Sequence, residues 1–175
     1  MRKAIQIICT LLIIATMVLP ASAAGFTPSV EQKGAPATVE KDVAVTALVD
    51  LNKAPAEVKK AVEDAQKSIV DAKSVAEAAP AIVDVLKTVA PTAKASDLVV
   101  RDLFYVALDK ELAAGEEKTV TFKAEGIEKD SVLIVMVFVD GEWVVIDPKN
   151  VEITKAGQVK VTFDVVGPVA FVTTK

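Results

Sequence analysis

Val132-Leu133-Ile134-Val135-Met136-Val137-Phe138-Val139, then Asp140-Gly141, then Glu142-Trp143-Val144-Val145-Ile146, is the stretch on which the fold turns. A continuous apolar run of strand length, rich in β-branched residues, predicts a central strand covered on both faces. Asp140-Gly141 supplies the positive-φ residues of a tight two-residue turn. The spacing therefore returns Glu142 to Ile146 antiparallel to the first strand.

Working outward, further strand signals flank this hairpin. Thr119 to Ala124 alternates Val120 and Phe122 against Thr119, Thr121 and Lys123. Val151 to Thr154 and Val159 to Val165 flank Gly157 as a second hairpin, and Val169 to Val172 reads as a final strand. Leu98 to Leu108 (LVVRDLFYVAL) suits a strand by its Val, Phe and Tyr content, with a helix as the alternative. Five or six short strands with turn signals every eight to twelve residues predict an antiparallel β-sandwich of immunoglobulin-like type.

Residues 52–91 follow another period. Val58, Ala61, Val62, Ala65, Ile69, Ala72 and Ala76 recur at three- and four-residue spacing, the pattern of one helical stripe. Glu57, Lys60, Asp64, Lys67 and Asp71 cover the opposite side, and Glu63 and Lys67 stand i,i+4 apart. Pro55 suits a first turn, with Asn52 or a neighbour as cap. Pro80 is too costly inside a helix and is expected to start a second one, presenting Ile82, Val83, Leu86 and Val89 and ending before Pro91. The expectation is a helical hairpin or kinked pair lying on the protein's own strands. Before it, Val39 to Leu51 alternates as one strand, and Gly25 to Thr38 reads as an extended lead-in.

The first residues address location. Arg2 and Lys3 precede an apolar run from Ala4 to Leu19, Pro20 ends it, and Ala21-Ser22-Ala23-Ala24 offers small side chains to a signal peptidase. The run is short for a membrane span, so a cleaved secretory signal is expected, with the mature chain starting at Ala24 or Gly25. The expected organisation is a signal peptide over 1–24, an N-terminal lead-in, strand and helical pair over 25–95, and a C-terminal β-sandwich over 96–175. The class is α+β.

Cys9, the only cysteine of the chain, falls within the signal, and the sequence contains no histidine. No lipobox pattern precedes it, so lipid attachment is not expected. A mature chain without disulfides relies on its core, which is feasible for the 151 residues left when 24 are removed from 175. The chain has 20 basic and 24 acidic residues, and loss of Arg2 and Lys3 moves the balance from −4 to −6. Acid and base are interspersed, so neither a nucleic-acid footprint nor a lipid-binding polybasic patch is expected.

The same composition narrows the chemistry. Cys–His and Ser–His nucleophiles are excluded from the mature chain in their usual forms. Ser74 and Lys73 are neighbours on a helical pattern and point about 100° apart, so they form no dyad. Zinc and copper sites ordinarily need His or thiolate. Asp140, Glu142, Asp147, Asn150 and Glu152 bracket a hairpin and the loop after it, where calcium ligands would gather. Their spacing matches no calcium loop, and Asp-Gly and Asp-Pro are ordinary turn formers, so no metal or cofactor is expected. Aromatic residues make up only 5% of the chain, sparse for a carboxylate glycosidase cleft. Trp143 has two readings. It packs in the sandwich core, or it joins Phe138, Phe122 or Tyr105 in an exposed platform for sugar stacking.

Ala124-Glu125-Gly126-Ile127-Glu128-Lys129-Asp130-Ser131, Asp140-Gly141-Glu142-Trp143, Val159-Lys160-Val161-Thr162-Phe163 and Gly167-Pro168-Val169-Ala170-Phe171-Val172 together resemble a C-terminal β-sandwich module of exported and surface proteins of Firmicutes. The resemblance covers Thr119 to Val172. The lead-in and helical part resemble small secreted proteins of gut clostridia. It implies an accessory module and brings no catalytic residues with it. The chain reaches Lys175 without a sorting motif, so covalent wall anchoring is not expected. The functional expectation is a secreted, non-enzymatic bacterial protein that binds or scaffolds an extracellular protein or glycan, without stable membrane insertion after signal cleavage. Alternatives are a glycan-binding module around Trp143, a self-associating surface or matrix protein using an open edge strand, and a hydrolase of unusual chemistry with a carboxylate-lined cleft.

Overall fold

The computed structural model describes residues 38–39, 43–108, 112–124 and 126–175. The expected signal sequence, its cleavage site and the lead-in before Thr38 lie outside the described residues. Along the chain come β1 (Thr38–Val39), β2 (Val43–Ala47), α1 (Ala56–Asp71), α2 (Val75–Ala78), α3 (Ile82–Val89) and β3 (Leu98–Leu108). β4 (Lys118–Lys123), β5 (Leu133–Val139), β6 (Glu142–Val145), β7 (Val151–Lys155), β8 (Gln158–Phe163) and β9 (Gly167–Thr174) follow. Every strand pairing is antiparallel. One sheet has the order β1-β4-β8-β7 and the other β2-β3-β9-β5-β6.

Two apolar layers follow from the period of two along the strands. Between the sheets, Phe104, Val106, Val135, Val137, Val169 and Phe171 meet Val120, Phe122, Val159, Val161 and Phe163. The rings of Phe104, Phe122, Phe163 and Phe171 sit with centroids 5.0 to 6.0 Å apart at tilted or edge angles. The opposite face of the five-stranded sheet presents Val100, Leu103, Ile134, Met136, Ala170 and Val172 to Val62, Ala65, Ile69, Ile82 and Leu86 of the helices. The molecule is thus three layers, sheet on sheet with helices on one outer face. This explains the unbroken apolar run of β5, which serves both cores.

The Asp140-Gly141 turn is as expected, with φ of 52° and 88°, the two positive values of a type I′ hairpin. Strand β9 is central and buried over nearly its whole length. It begins at Gly167, where φ is 146° and an added Cβ would stand 2.9 Å from the Phe138 carbonyl oxygen. Backbone approaches backbone too closely there for any side chain.

The ambiguous Leu98 to Leu108 segment is a strand. Its register against β9 shifts between Val100 and Asp102, so Arg101 is an extra residue in a β-bulge. The bulge lets Val100 and Leu103 both face the helices although they are three apart, and it blurs the two-residue period.

Several expectations are corrected. Val39 to Leu51 is not one strand, because β1 and β2 join different sheets and Leu48–Lys53 is a 3-10 turn. These two strands belong to the same two sheets as the strands after residue 96. The helical stretch holds three helices, not a pair, because the backbone is extended at Ala72 and Ser74. Ala72 and Ala76 consequently leave the stripe of α1. Pro80 does precede α3. Pro55, not Asn52, occupies the N-cap of α1. The ion pairs of α1 are Lys60 with Asp64 and Lys67 with Asp71, not Glu63 with Lys67. Among the described residues, seven strands follow residue 96, not five or six. Among the described residues no helix is long and apolar enough to cross a membrane.

Candidate functional site

Strand β6 determines the position of Trp143. Trp143 and Val145 project toward the helices, whereas Val144 projects the other way and is 46% exposed. The indole is 7% exposed, packs against Phe138 with centroids 5.1 Å apart, and lies in the helix-side core. Its Nε1 donates to Ser68 Oγ at 2.7 Å, and Ser68 Oγ donates to the Ala65 carbonyl at 2.8 Å. The expected burial is seen, but in a different core from the expected one. Phe122 lies between the sheets and Tyr105 at the margin of the helix-side core, so these rings do not assemble with Trp143 into an exposed platform.

The acidic residues around β6 are held apart by the strand. Asp140 and Glu142 lie at its hairpin end and Asp147 just beyond the other end. Asp147 caps the Pro148–Asn150 3-10 turn, its Oδ1 accepting from the Lys149 backbone N–H at 3.0 Å and its Oδ2 pairing with Lys149 Nζ at 3.0 Å. That N–H, and then the ammonium, hold the Asp147 carboxyl below the usual aspartate range, while Asp147 raises the Lys149 ammonium. Among the described residues, no group of three or more His, Cys, Asp or Glu is placed to hold a metal ion.

Ser74 caps α2, its Oγ accepting from the Glu77 N–H at 3.2 Å. Glu77 Oε2 in turn accepts from the Lys73 N–H at 2.8 Å, close to a reciprocal capping box. The hydroxyl is engaged as a helix cap, as befits a polar residue at a helix start.

A polar group missed in the sequence lies at the β3 bulge. The Arg101 guanidinium lies against Gly126, where an added Cβ would stand 2.2 Å from Nη2. Arg101 Nε and Thr173 Oγ1 are shielded from solvent without a hydrogen-bond partner among the described residues, and Asp102 is 2% exposed. The Gly126 turn is tied to the β7–β8 turn, with the Gly157 N–H donating to the Ile127 carbonyl at 2.8 Å and the Ala124 N–H to the Gly157 carbonyl at 3.0 Å. The available sequence signal was Arg101-Asp102, an adjacent charged pair inside an otherwise apolar strand.

The four-stranded sheet turns a polar face outward. Thr119, Thr121, Lys123, Gln158, Lys160 and Thr162 alternate with buried Val and Phe, and the Thr119 and Thr162 hydroxyls are 3.1 Å apart. This sheet ends at β7, an edge strand with Val151 and Ile153 half-buried and Glu152, Thr154 and Lys155 exposed.

Comparisons with models of protein families, with curated proteins and with solved structures each found no match.

Proposed function

We propose that the chain is a secreted, non-catalytic bacterial protein that serves as an extracellular binding or scaffold module on an immunoglobulin-like sandwich. The observation that carries the functional reading is the occupation of the side chains best suited to chemistry. Trp143 joins β6 to α1, Ser74 caps α2 and Asp147 caps a turn. Each is engaged in holding the fold.

Strand order supports the immunoglobulin-like assignment. Strands β4 to β9 stand as B, C, C′, D, E and F do in such a sandwich, with B-E-D in one sheet and F-C-C′ in the other. β1 lies beside β4 as A lies beside B. β3 takes the place beside β9 where the last strand, G, ordinarily pairs with F. The resemblance to modules of exported Firmicutes proteins and the signal-like first 24 residues support the extracellular bacterial setting.

The test is expression of the full chain in a Gram-positive host, with intact-mass analysis of the culture medium. The expected species begins at Ala24 or Gly25. A chain that stays with the cells and keeps Met1 to Ala23 overturns the extracellular reading. Turnover of a peptide, ester or glycoside substrate by the purified protein overturns the non-catalytic one.

A further inference from the structure

Strand β7 ends its sheet, and among the described residues no strand lies beside its outer edge. Its inward-facing Val151 and Ile153 lie over the sandwich core yet remain only half-buried. Its outward face carries a charge pattern that arises from an irregularity. Glu152 stands opposite Lys160 and Lys155 opposite Gln158, with a register shift between Ile153 and Lys155 that makes Thr154 an extra residue. In a regular strand, positions 152 and 155, three apart, would point to opposite faces. The bulge takes up Thr154, and an acid and a base share the solvent face of one edge strand. Neither enters an ion pair among the described residues.

We infer that β7 pairs antiparallel with β7 of a second copy about a two-fold axis, joining two four-stranded sheets into one sheet of eight. In a two-fold pair, residue i meets j and j meets i. An axis between Ile153 and Thr154 sets Glu152 of each copy across from Lys155 of the other, giving two equivalent cross-strand ion pairs. The same pairing covers the exposed flanks of Val151 and Ile153. A bulge and an edge lysine ordinarily discourage strand addition. Here they discourage an unrelated strand, while a second copy brings a carboxylate to each lysine. The other exposed edge on this flank, β6, carries Glu142 as its only charge and has no such self-complementarity. This inference rests on the scaffold reading and names its partner as a second copy of the chain.

Sedimentation equilibrium of the purified full chain tests it. A strand pair of this size is a small interface, so reversible dimerisation is expected between about 10 μM and 1 mM protein. Lys155→Glu or Glu152→Lys alone sets like charges opposite each other and should raise the dissociation constant about tenfold or more at low salt. The doubly exchanged Glu152→Lys/Lys155→Glu protein should return to the wild-type value. Both positions are exposed, and unchanged circular dichroism melts separate loss of pairing from loss of fold. A wild type that stays monomeric overturns the inference, as does a dimer unmoved by either single exchange or not restored by the double one. A monomeric result leaves the export and turnover tests of the scaffold reading untouched.

Discussion

The Trp143 indole N–H donates to the Ser68 hydroxyl at 2.7 Å, joining an edge strand to the last turn of α1 across 75 residues of chain. The Ser68 hydroxyl in turn donates to the Ala65 carbonyl, so the bond chain ends on the helix backbone and the buried indole nitrogen is satisfied. The helical layer is thereby oriented on the sheet as well as packed against it.

Removing either partner should cost stability in proportion to what is left behind. Trp143→Ala opens a cavity under α1 and should cost about 3–5 kcal/mol in urea unfolding. Ser68→Ala leaves an indole N–H buried without an acceptor and should cost about 1–3 kcal/mol. Wild-type tryptophan fluorescence should be blue-shifted and resistant to iodide. Ready quenching in a folded protein would contradict the placement beneath the helix.

At the start of β9, Gly167→Ala should destabilise strongly. The added methyl meets the backbone oxygen of Phe138 at 2.9 Å, which no rotamer relieves, and φ of 146° is itself unfavourable for alanine. The loss should exceed about 2 kcal/mol, and thermal melts would show it. A melt indistinguishable from wild type would mean that the two backbones are not in contact.

Gly126 presents a different obstacle, a movable guanidinium. Gly126→Ala should destabilise the protein when Arg101 is present and do so less in an Arg101→Ala background, because the atom in the way has gone. The double-mutant cycle should give a coupling of about 1 kcal/mol or more. Simple additivity would show that the β3 bulge does not support the β4–β5 turn.

The carboxyl of Asp147 should titrate below an ordinary aspartate in NMR, and Lys149→Met should raise it only part of the way. The Lys149 backbone N–H is the larger cause and survives that exchange. Since the folded value lies below the unfolded one, the contribution of Asp147 to stability is present above the usual aspartate range and is lost as pH falls through the folded value. Asp147→Asn should therefore flatten the acid side of the stability profile slightly. A full return of the pKa on Lys149→Met would assign the shift to the ammonium alone.

Local chemistry made much of this fold legible from residue order. The β5 run, the Asp140-Gly141 turn, the β7–β8 hairpin and the stripe of α1 each follow from neighbours a few positions apart, where side-chain period and backbone preference act. What lay beyond that range was decided by packing. β6 is apolar on both faces, so only the arrival of α1 determined that Trp143 faces a helix and not the other sheet, and with that its part in any ligand platform. The switch of sheets between Val39 and Val43, the bulge that turns Arg101 toward Gly126, and the edge on which Glu152 and Lys155 share a face likewise depend on partner strands distant in sequence. A strand's own residues state which positions can be buried; the strands and helices that come to lie beside it decide which of them are.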